Sequence, residues 1–345
     1  MKAAVLTGLR QMEIRDVPTP ELKHDKEVLI RVGSVGVCGS DVHYHVSGHI
    51  GKMRVEYPFR VGHECSGTVE KVGGAVTILK PGDRIAVDPA ISCGECDQCK
   101  AGRSNTCRAL TFLGCPGESE GCLCEYIVMP EGSCFPVGNS IGLDRAAIAE
   151  PLSIGVYTFR RFGRTQDAAI GILGAGPIGL SVLLAARADG VRSTYVTDKI
   201  DERVDIARNA GGASWAGNVD KEDVVAGILG REPLGLDAVF ECCGKQEAID
   251  QAVELLKPGG TLLIAGIPEI ASIQFEIEKI RRREISIINI RRQCDCVETA
   301  LDLIDCGGIN VDFMITHHFA LDEAPEAFEL VAGYRDGVVK AMIHA

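Results

Sequence analysis

The chain has 345 residues, a hydrophobic fraction of 46% and a formal net charge of −12 at pH 7. This length exceeds what a single hydrophobic core commonly organises, so two domains are expected. The acidic charge balance argues against a nucleic-acid partner, because such a partner requires a concentrated basic surface.

The N-terminal segment and the cysteine content indicate the cellular setting. Residues 1–9 read as a first strand and lack the charged, apolar and small-residue regions of a signal peptide. No apolar run reaches the roughly 20 residues that a membrane helix needs. The 15 cysteines are an odd number and cannot all pair within one chain. We therefore expect a soluble, cytoplasmic protein with no membrane partner.

Residues 1–150 have the pattern of a β-rich domain with long loops. Short apolar runs such as 27–32, 67–72 and 83–87 are separated by glycine and proline turns. The tail, 289–345, contains one helical stretch near 297–304 and a strand-like segment at 338–343. Because the tail is too short for a third domain, we expect it to return to the first one.

An open metal site is predicted in this first domain. Cys38 lies in Gly-Val-Cys-Gly-Ser-Asp-Val-His-Tyr, and His63 is followed directly by Glu64. Together they offer a thiolate, an imidazole and a carboxylate, an incomplete set that leaves room for water or substrate on a catalytic zinc ion. Glu150, just before Pro151, is a fourth candidate that either touches the metal or holds its water. Taken singly, each residue also fits an ordinary role in a core or at a helix boundary.

A second, closed metal site is predicted from four cysteines on one loop. Their spacing is two residues, two residues and then seven, and thiolates at this spacing can reach one tetrahedral ion. Such a loop indicates structural zinc in an intracellular protein rather than a secreted disulfide scaffold. Its members are Cys93, Cys96, Cys99 and Cys107.

From about residue 151 to 288 the pattern changes to alternating strands and helices. Strands are predicted at 169–173, 193–197, 238–241 and 261–265. This alternation predicts a doubly wound parallel sheet, that is, an α/β Rossmann domain over 151–288. The catalytic zinc-binding domain would then comprise 1–150 and 289–345.

A dinucleotide fingerprint opens this second domain. The run Gly-Ala-Gly-Pro-Ile-Gly follows an apolar strand and precedes an apolar helix. In this setting the three glycines permit a tight turn, a close approach to a pyrophosphate and close packing of the helix on the strand. The predicted cofactor residues here are Gly174, Gly176, Pro177, Ile178 and Gly179.

Asp198 is predicted to select the cofactor. It ends the next strand, where a carboxylate accepts hydrogen bonds from the adenosine ribose and repels a 2′-phosphate. NAD is therefore favoured over NADP. The alternative is that Asp198 caps the following helix, but Asp201 is the better placed cap.

These motifs, in this order, resemble the zinc-dependent medium-chain alcohol dehydrogenases over the whole chain. The Cys-Gly-Ser-Asp-Val-His-Tyr run and the His-Glu pair are most similar to the branch that oxidises sorbitol, xylitol and other polyols with NAD. The resemblance implies a first domain like the chaperonin-10 β-barrel, two zinc ions per subunit and a homo-oligomer, either a dimer or a tetramer.

The resemblance also implies roles for individual residues. Cys38, His63 and Glu64 would hold the catalytic zinc, with Glu150 as a ligand or bound through water, and Asp41 would orient the imidazole. Ser40 would accept the substrate proton and His43 would pass it on. The other implied residues line the substrate pocket (Tyr44, Phe112, Glu150 and Arg292), lie against the adenosine (Arg203) or supply backbone beside the nicotinamide (Ala265, Gly266 and Ile267).

The substrate is less constrained than the chemistry. Gln293 replaces the tyrosine that polyol enzymes commonly carry after Arg292, and the adjacent Arg291 and Arg292 can pair with a carboxylate or a phosphate. A sugar acid, a sugar phosphate or L-threonine therefore remains an alternative to a polyol. A zinc-free reductase would not need the open metal site, and a non-catalytic NAD-binding structural protein would need neither metal site.

Overall fold

The computed structural model describes residues 1–138, 140–163, 167–268 and 270–345. This part of the chain forms two compact units, Met1–Glu150 with Val297–Ala345, and Pro151–Cys296. The second unit thus extends to Cys296, beyond the range of 151–288 predicted from the sequence. No helix in the described ranges combines the length and the apolar character needed to cross a membrane.

The first unit is built on a seven-stranded sheet, with elements numbered in chain order. Its central strand, β3 (Glu27–Gly36), buries Val28, Ile30, Val32 and Val35, and the C-terminal strand pairs with its end. In spatial order the strands are β11 (Cys134–Pro136), β7 (Arg84–Val87), β6 (Glu64–Val72), β3, β19 (Lys340–His344) and β18 (Ile315–Ala320), while β10 (Tyr126–Pro130) pairs with β3.

Shorter elements complete this unit around the sheet. Strand pairs are β1 (Lys2–Gly8) with β2 (Gln11–Asp16), β4 (His49–Ile50) with β5 (Met53–Arg54), and β8 (Ala90–Ile91) with β9 (Thr111–Phe112). The helices are α1 (Gly39–Ser47), α2 (Asp97–Lys100), α9 (Val297–Asp305) and α10 (Ala324–Ala332), and the chain passes to the second unit within α3 (Leu143–Phe162). Single 3-10 turns lie at Ser104–Thr106, Glu131–Ser133, Asp312–Met314 and Leu321–Glu323.

The second unit is a six-stranded parallel sheet. Its strands are, in spatial order, β14 (Trp215–Asn218), β13 (Ser193–Asp198), β12 (Ala169–Leu173), β15 (Leu236–Glu241), β16 (Leu256–Ile264) and β17 (Ser286–Asn289). The accompanying helices are α4 (Pro177–Ala188), α5 (Asp201–Asn209), α6 (Val224–Leu229), α7 (Gln246–Leu255) and α8 (Ile277–Arg282). In chain order this is 3-2-1-4-5-6, the arrangement of doubly wound dinucleotide-binding sheets.

The sequence predictions for this sheet can be compared strand by strand. Strand β12 has the predicted bounds. Strands β13, β15 and β16 lie where strands were predicted, with ends that differ by one to five residues. All five residues of β12 are buried, as expected for a parallel strand covered on both faces. The prediction that Asp201 caps α5 was wrong, because Asp201 is the first helical residue and Ile200 precedes it as the cap.

Substitution of Phe240 tests the packing of this second core. Its side chain is fully buried, and its ring centroid lies 6.2 Å from that of Phe159 and 6.1 Å from that of Phe162. We expect Phe240→Ala to lower the free energy of unfolding by about 3–5 kcal/mol, since it creates a cavity. The control is Leu234→Ala, because Leu234 is 87% exposed and its removal should change stability by less than about 0.5 kcal/mol. If urea denaturation showed the same loss of unfolding free energy in Phe240→Ala and Leu234→Ala, this account of the core would be wrong.

Candidate metal centres and dinucleotide site

The four predicted loop cysteines are brought together. Sulfur separations are 3.4 Å between Cys93 and Cys107, 3.6 Å between Cys96 and Cys99, 3.9 Å between Cys96 and Cys107, and 4.0 Å between Cys93 and Cys99. Four sulfurs around one tetrahedral zinc ion, at about 2.3 Å from it, would lie roughly 3.8 Å apart. The separations therefore fit the predicted zinc ion.

Backbone N–H groups donate hydrogen bonds to two of these sulfurs and favour their thiolate forms. The Cys93 N–H donates to Cys107 Sγ at 3.3 Å and lowers the pKa of Cys107. Backbone hydrogen bonds from Arg108 and Cys99 lower the pKa of Cys96 to about 6. Desolvation and hydrogen bonds with the neighbouring thiols raise the pKa of Cys99 to about 11. Four thiolates cannot stay this close without a cation, which is the chemistry that zinc satisfies.

The second predicted ligand set, Cys38, His63 and Glu64, also converges. One sulfur, one nitrogen and one oxygen from these side chains all lie within 4.8 Å of one another. Cys38 precedes α1 as its N-cap residue. His63 is buried directly before β6, and Glu64 is the first residue of that strand. The soft sulfur, the imidazole and the carboxylate suit zinc and leave a coordination position open.

Asp41 orients His63, as the sequence predicted for it. His63 Nδ1 lies 3.3 Å from Asp41 Oδ1, which also accepts from the Gly62 N–H at 3.2 Å. Burial alone lowers the pKa of His63, but the charges of Asp41 and Cys38 outweigh burial and raise that pKa well above the usual value. A cation is therefore favoured here, as a proton on the imidazole or as a metal ion.

Lys340 is a member of this centre that sequence reasoning missed. Its ammonium donates to Glu64 Oε1 at 2.8 Å, to Glu64 Oε2 at 2.5 Å and to the Val37 carbonyl at 3.1 Å. The Lys340 side chain is 1% exposed and that of Glu64 is 2% exposed. Burial lowers the pKa of Lys340, but the charges of Glu64, Cys38 and Glu150 and the hydrogen bond to Glu64 together outweigh burial, and the net shift is upward. A lysine inside an otherwise apolar C-terminal strand was the available signal.

Two further predicted residues of the first unit lie beside this set. The Ser40 hydroxyl donates to Cys38 Sγ at 3.3 Å, and the ring of Phe112 lies 5.2 Å from that of His63. His43 and Tyr44 follow on α1, where Tyr44 is buried and His43 is half-buried.

Glu150 is buried, but it does not belong to the three-residue group of Cys38, His63 and Glu64. Burial raises the pKa of Glu150 to about 8. The charge of His63 opposes that shift, while Glu64 and Asp88 add to it and Lys340 opposes it.

In the second unit, the glycine run forms the expected turn between β12 and α4. Gly174 has a φ of +103°, a conformation that favours glycine. A side chain at Gly179 would place its Cβ 1.8 Å from the Gly174 carbonyl oxygen, so the helix packs too closely for any other residue. A Cβ at Gly176 would meet only Arg203, at 3.6 Å. The absence of a side chain there keeps the backbone approachable, as a pyrophosphate requires.

Asp198 and Arg203 lie at this turn. Asp198 Oδ2 accepts from the Ala175 N–H at 2.7 Å, and Oδ1 accepts from the Ile200 N–H at 2.9 Å. These bonds fix the carboxylate at the end of β13, and its remaining lone pairs can accept ribose hydroxyls. Arg203 is 7% exposed, so its guanidinium is not a solvated charge on the surface of α5.

Glu241, which was not predicted as a site residue, binds backbone amides that follow β15 and β16. It is fully buried, and its Oε1 accepts from the N–H groups of Cys243 and Gly244 at 2.7 and 2.5 Å. Its backbone carbonyl accepts from the N–H groups of Ala265 and Gly266 at 2.9 and 3.0 Å. Glu241 thus holds the predicted nicotinamide segment, in which Ile267 is 46% exposed.

The Arg292 segment has an irregular backbone. Arg292 has a φ of +51° and Asp295 a φ of +52°. Gln293, which departs from the polyol pattern, is buried, and its Oε1 accepts from the Cys296 N–H at 2.9 Å. Gln293 therefore has a structural role in holding this turn.

Comparisons with known proteins match both units of the chain. Residues 24–139 match the family described as alcohol dehydrogenase GroES-like domain, and residues 177–305 match the family described as zinc-binding dehydrogenase. The first match lies in the predicted chaperonin-10-like unit, and the second covers the dinucleotide sheet from β13 to β17.

Whole-chain relatives carry related names. Sorbitol dehydrogenase of Bacillus subtilis is 34% identical, and the match covers 100% of this chain and 97% of that protein. L-idonate 5-dehydrogenase of Vitis vinifera is 33% identical over 96% of this chain and 91% of its own. A solved zinc-binding dehydrogenase from Sinorhizobium meliloti, bound to NADP, is 32% identical with a TM-score of 0.91, covering 100% of this chain and 99% of its own.

Removal of one loop thiolate should release one zinc ion. We expect Cys99→Ser to lower bound zinc from two ions per chain to one, because three thiolates no longer close the tetrahedron, and to lower the melting temperature. Elemental analysis after gel filtration and calorimetry measure the two effects. Cys306→Ser, at an exposed cysteine outside both sets, should change neither. Retention of two ions by Cys99→Ser would exclude the loop as a zinc site.

Removal of Lys340 should expose the cost of burying Glu64. We expect Lys340→Met to lower the free energy of unfolding by about 3–5 kcal/mol, because a buried carboxylate is left without its partner. Adding Glu64→Gln removes both charges and should restore most of the loss. Urea denaturation of the four proteins in this cycle provides the measurement. A loss of less than about 1 kcal/mol in Lys340→Met would refute the pairing.

Proposed function

Because this chain belongs to the zinc-dependent medium-chain alcohol dehydrogenases, we propose that it oxidises a secondary hydroxyl of a polyol with NAD to give a ketose. The observation that carries this proposal is the open donor set of Cys38, His63 and Glu64, with one oriented imidazole and, among the described residues, no fourth protein ligand in the group. A purely structural zinc site would be closed, as the four-cysteine loop is.

Each of these predicted site residues in the first unit then has a defined role in the reaction. Zinc, when bound by Cys38, His63 and Glu64, supplies Lewis acidity toward a substrate oxygen, and NAD supplies the hydride acceptor. Asp41 keeps His63 Nδ1 occupied, which would leave Nε2 for the metal. Ser40 takes the hydroxyl proton of the substrate, and His43 passes it toward solvent. The products are a ketone, NADH and a proton, which balances the reaction.

Cofactor choice is proposed to rest on Asp198. Its carboxylate is held by two backbone amides at the end of β13, where it can accept the ribose hydroxyls and repel a 2′-phosphate. Gly174, Gly176, Pro177, Ile178 and Gly179 would bind the pyrophosphate, Arg203 would cover the adenosine, and Ala265, Gly266 and Ile267 would adjoin the nicotinamide.

The proposed substrate class is a hydroxylated carbon chain. The name of the Bacillus subtilis relative, sorbitol dehydrogenase, supports a polyol. A sugar acid is the second candidate, since Arg291 and Arg292 can pair with a carboxylate and the Vitis vinifera relative is named for L-idonate. We further propose that the protein is a cytoplasmic homo-oligomer, dimer or tetramer, with no nucleic-acid partner. Sedimentation measures its assembly.

A substrate panel tests the proposed function. Sorbitol, xylitol, L-idonate, L-threonine and a hexitol phosphate are each assayed with NAD and with NADP by the absorbance of the reduced nicotinamide. We expect a polyol with NAD to give the highest kcat/KM, and Cys38→Ser to abolish turnover while Cys306→Ser retains it. A higher kcat/KM with an anionic substrate would favour the second candidate, in which Arg291 and Arg292 pair with the substrate. Activity of Cys38→Ser without zinc would exclude the zinc mechanism.

The same assay isolates the role of Asp198. Asp198→Ala should lower kcat/KM with NAD at least tenfold, equivalent to about 1.4 kcal/mol. It should also reduce the ratio of kcat/KM with NAD to kcat/KM with NADP. An NADP preference in the unmodified enzyme would show that Asp198 does not set the cofactor.

A further inference from the structure

A third cluster of metal-ligating side chains lies in the first unit and shares no residue with the two zinc sets. It consists of Asp144, His318 and His344, and one nitrogen from each histidine and one oxygen from the aspartate all lie within 4.8 Å of one another. Asp144 is in the first turn of α3, His318 is in β18 and His344 ends β19. The zinc and NAD chemistry described above uses none of these three residues.

Strand register brings the two histidines together. β18 and β19 are parallel, with His318 opposite Met342, and His344 lies two residues further along on the same face. On its other side, His344 is opposite Ser34 of β3. The sheet thus presents His318, His344 and Ser34 as neighbours, although more than 280 residues separate Ser34 from either histidine.

The imidazoles meet edge to edge. His318 Nδ1 is 3.0 Å from His344 Nε2, while the ring centroids are 5.3 Å apart and the ring planes differ by 11°. A neutral imidazole has one donor and one acceptor nitrogen, so one ring donates to the other. Two nitrogens bound to one ion at about 2.0–2.1 Å lie roughly 2.9–3.4 Å apart at right or tetrahedral angles. Small side-chain rotations therefore allow a metal ion to replace the shared proton.

Asp144 provides the third ligand and is itself fixed. Its Oδ2 lies 3.7 Å from His318 Nδ1, and its Oδ1 lies 3.6 Å from His344 Nδ1. The Ser34 hydroxyl, 2% exposed, donates to Asp144 Oδ1 at 2.5 Å. A hydrogen bond of this kind orients a ligating carboxylate, as in established metal sites.

The cluster is accessible from solvent. It lines a surface pocket of about 590 Å³, and the His318 and His344 side chains are 54% and 42% exposed. Arg145, also in the wall, is bound at 2.6 Å to both carboxylate oxygens of Asp312. An ion can therefore enter with water in its remaining coordination positions, and the nearby guanidinium charge is already neutralised.

We propose that Asp144, His318 and His344 form a third metal site, which binds a divalent transition-metal ion such as Zn²⁺ or Ni²⁺. Two imidazoles and one carboxylate with open positions suit these ions better than Ca²⁺ or Mg²⁺, which prefer oxygen ligands. The bound ion would join the C-terminal strand to β18 and to the start of α3. This inference does not depend on the proposed substrate or cofactor.

Metal titration of the untagged, zinc-replete protein tests the site. Isothermal titration with Ni²⁺, and separately with Zn²⁺, should show one ion per chain beyond those already bound. His318→Asn and His344→Asn should each weaken this binding at least tenfold. The matched control is His317→Asn, because His317 neighbours the site on β18 but its ring bonds Thr316 and Asp336 instead. That variant should bind as the unmodified protein does.

Two results would overturn the proposal. One is an unmodified protein that binds no more metal than His318→Asn, and the other is an equal loss in His317→Asn, which would indicate nonspecific surface binding. Copper added at one equivalent gives a second readout. Its electron paramagnetic resonance spectrum should show coupling to two imidazole nitrogens in the unmodified protein and to one in His318→Asn. If both variants lose their fold, Asp144→Asn replaces them, with the same tenfold loss expected.

Discussion

The buried pair of Glu64 and Lys340 is the interaction on which the candidate catalytic centre depends. Both side chains are almost fully enclosed, and the ammonium lies within hydrogen-bonding distance of both carboxylate oxygens. Neither charge could be buried alone without a penalty of several kcal/mol. The pair therefore requires the C-terminal strand β19 beside β3 and the start of β6. The pairing of β3 with β6, in which Gly36 lies opposite Glu64, places Glu64 beside Cys38 and His63. The buried carboxylate of this set is compensated by an ammonium only when the ends of the chain have come together.

Charge compensation organises the other polar clusters of this unit as well. His63 lies between Asp41 and Cys38 and favours a positive charge, and the four loop cysteines collect thiolates that only a cation can hold at separations of 3.4–4.0 Å. Asp144 has the two imidazoles and the Ser34 hydroxyl around it. At the enclosed set of His63 and Glu64, water alone cannot compensate the anionic groups, and a metal ion or the buried ammonium of Lys340 completes the balance.

Local patterns in the sequence were sufficient for much of this arrangement. The bounds of β12 follow from five consecutive buried apolar residues, and the glycine run predicts the turn because Gly174 and Gly179 have no acceptable substitute there. The loop cysteines converge because their spacing acts over only 15 residues. Other features were missed. The partner of Lys340 and the cluster of Asp144, His318 and His344 have no signature at short range, since they join distant segments. Glu241 was overlooked although its carboxylate binds the nearby amides of Cys243 and Gly244. The predicted cap of α5, Asp201, lies one residue beyond the actual cap, Ile200, whose amide donates to Asp198 outside the helix.

The sequence by itself determined the doubly wound sheet and the four-cysteine loop, because each is encoded by periodicity or by spacing within a short segment. The zinc-dependent dehydrogenase family followed from the order of motifs along the whole chain, which resembles that family. Only the tertiary structure decided which buried charges are paired and which side chains share a metal site. Whether Glu64 contacts an ammonium and whether His318 contacts His344 depend on strand pairing across the sheet. Such pairing is set by the packing of the whole core, and no local stretch of residues specifies it.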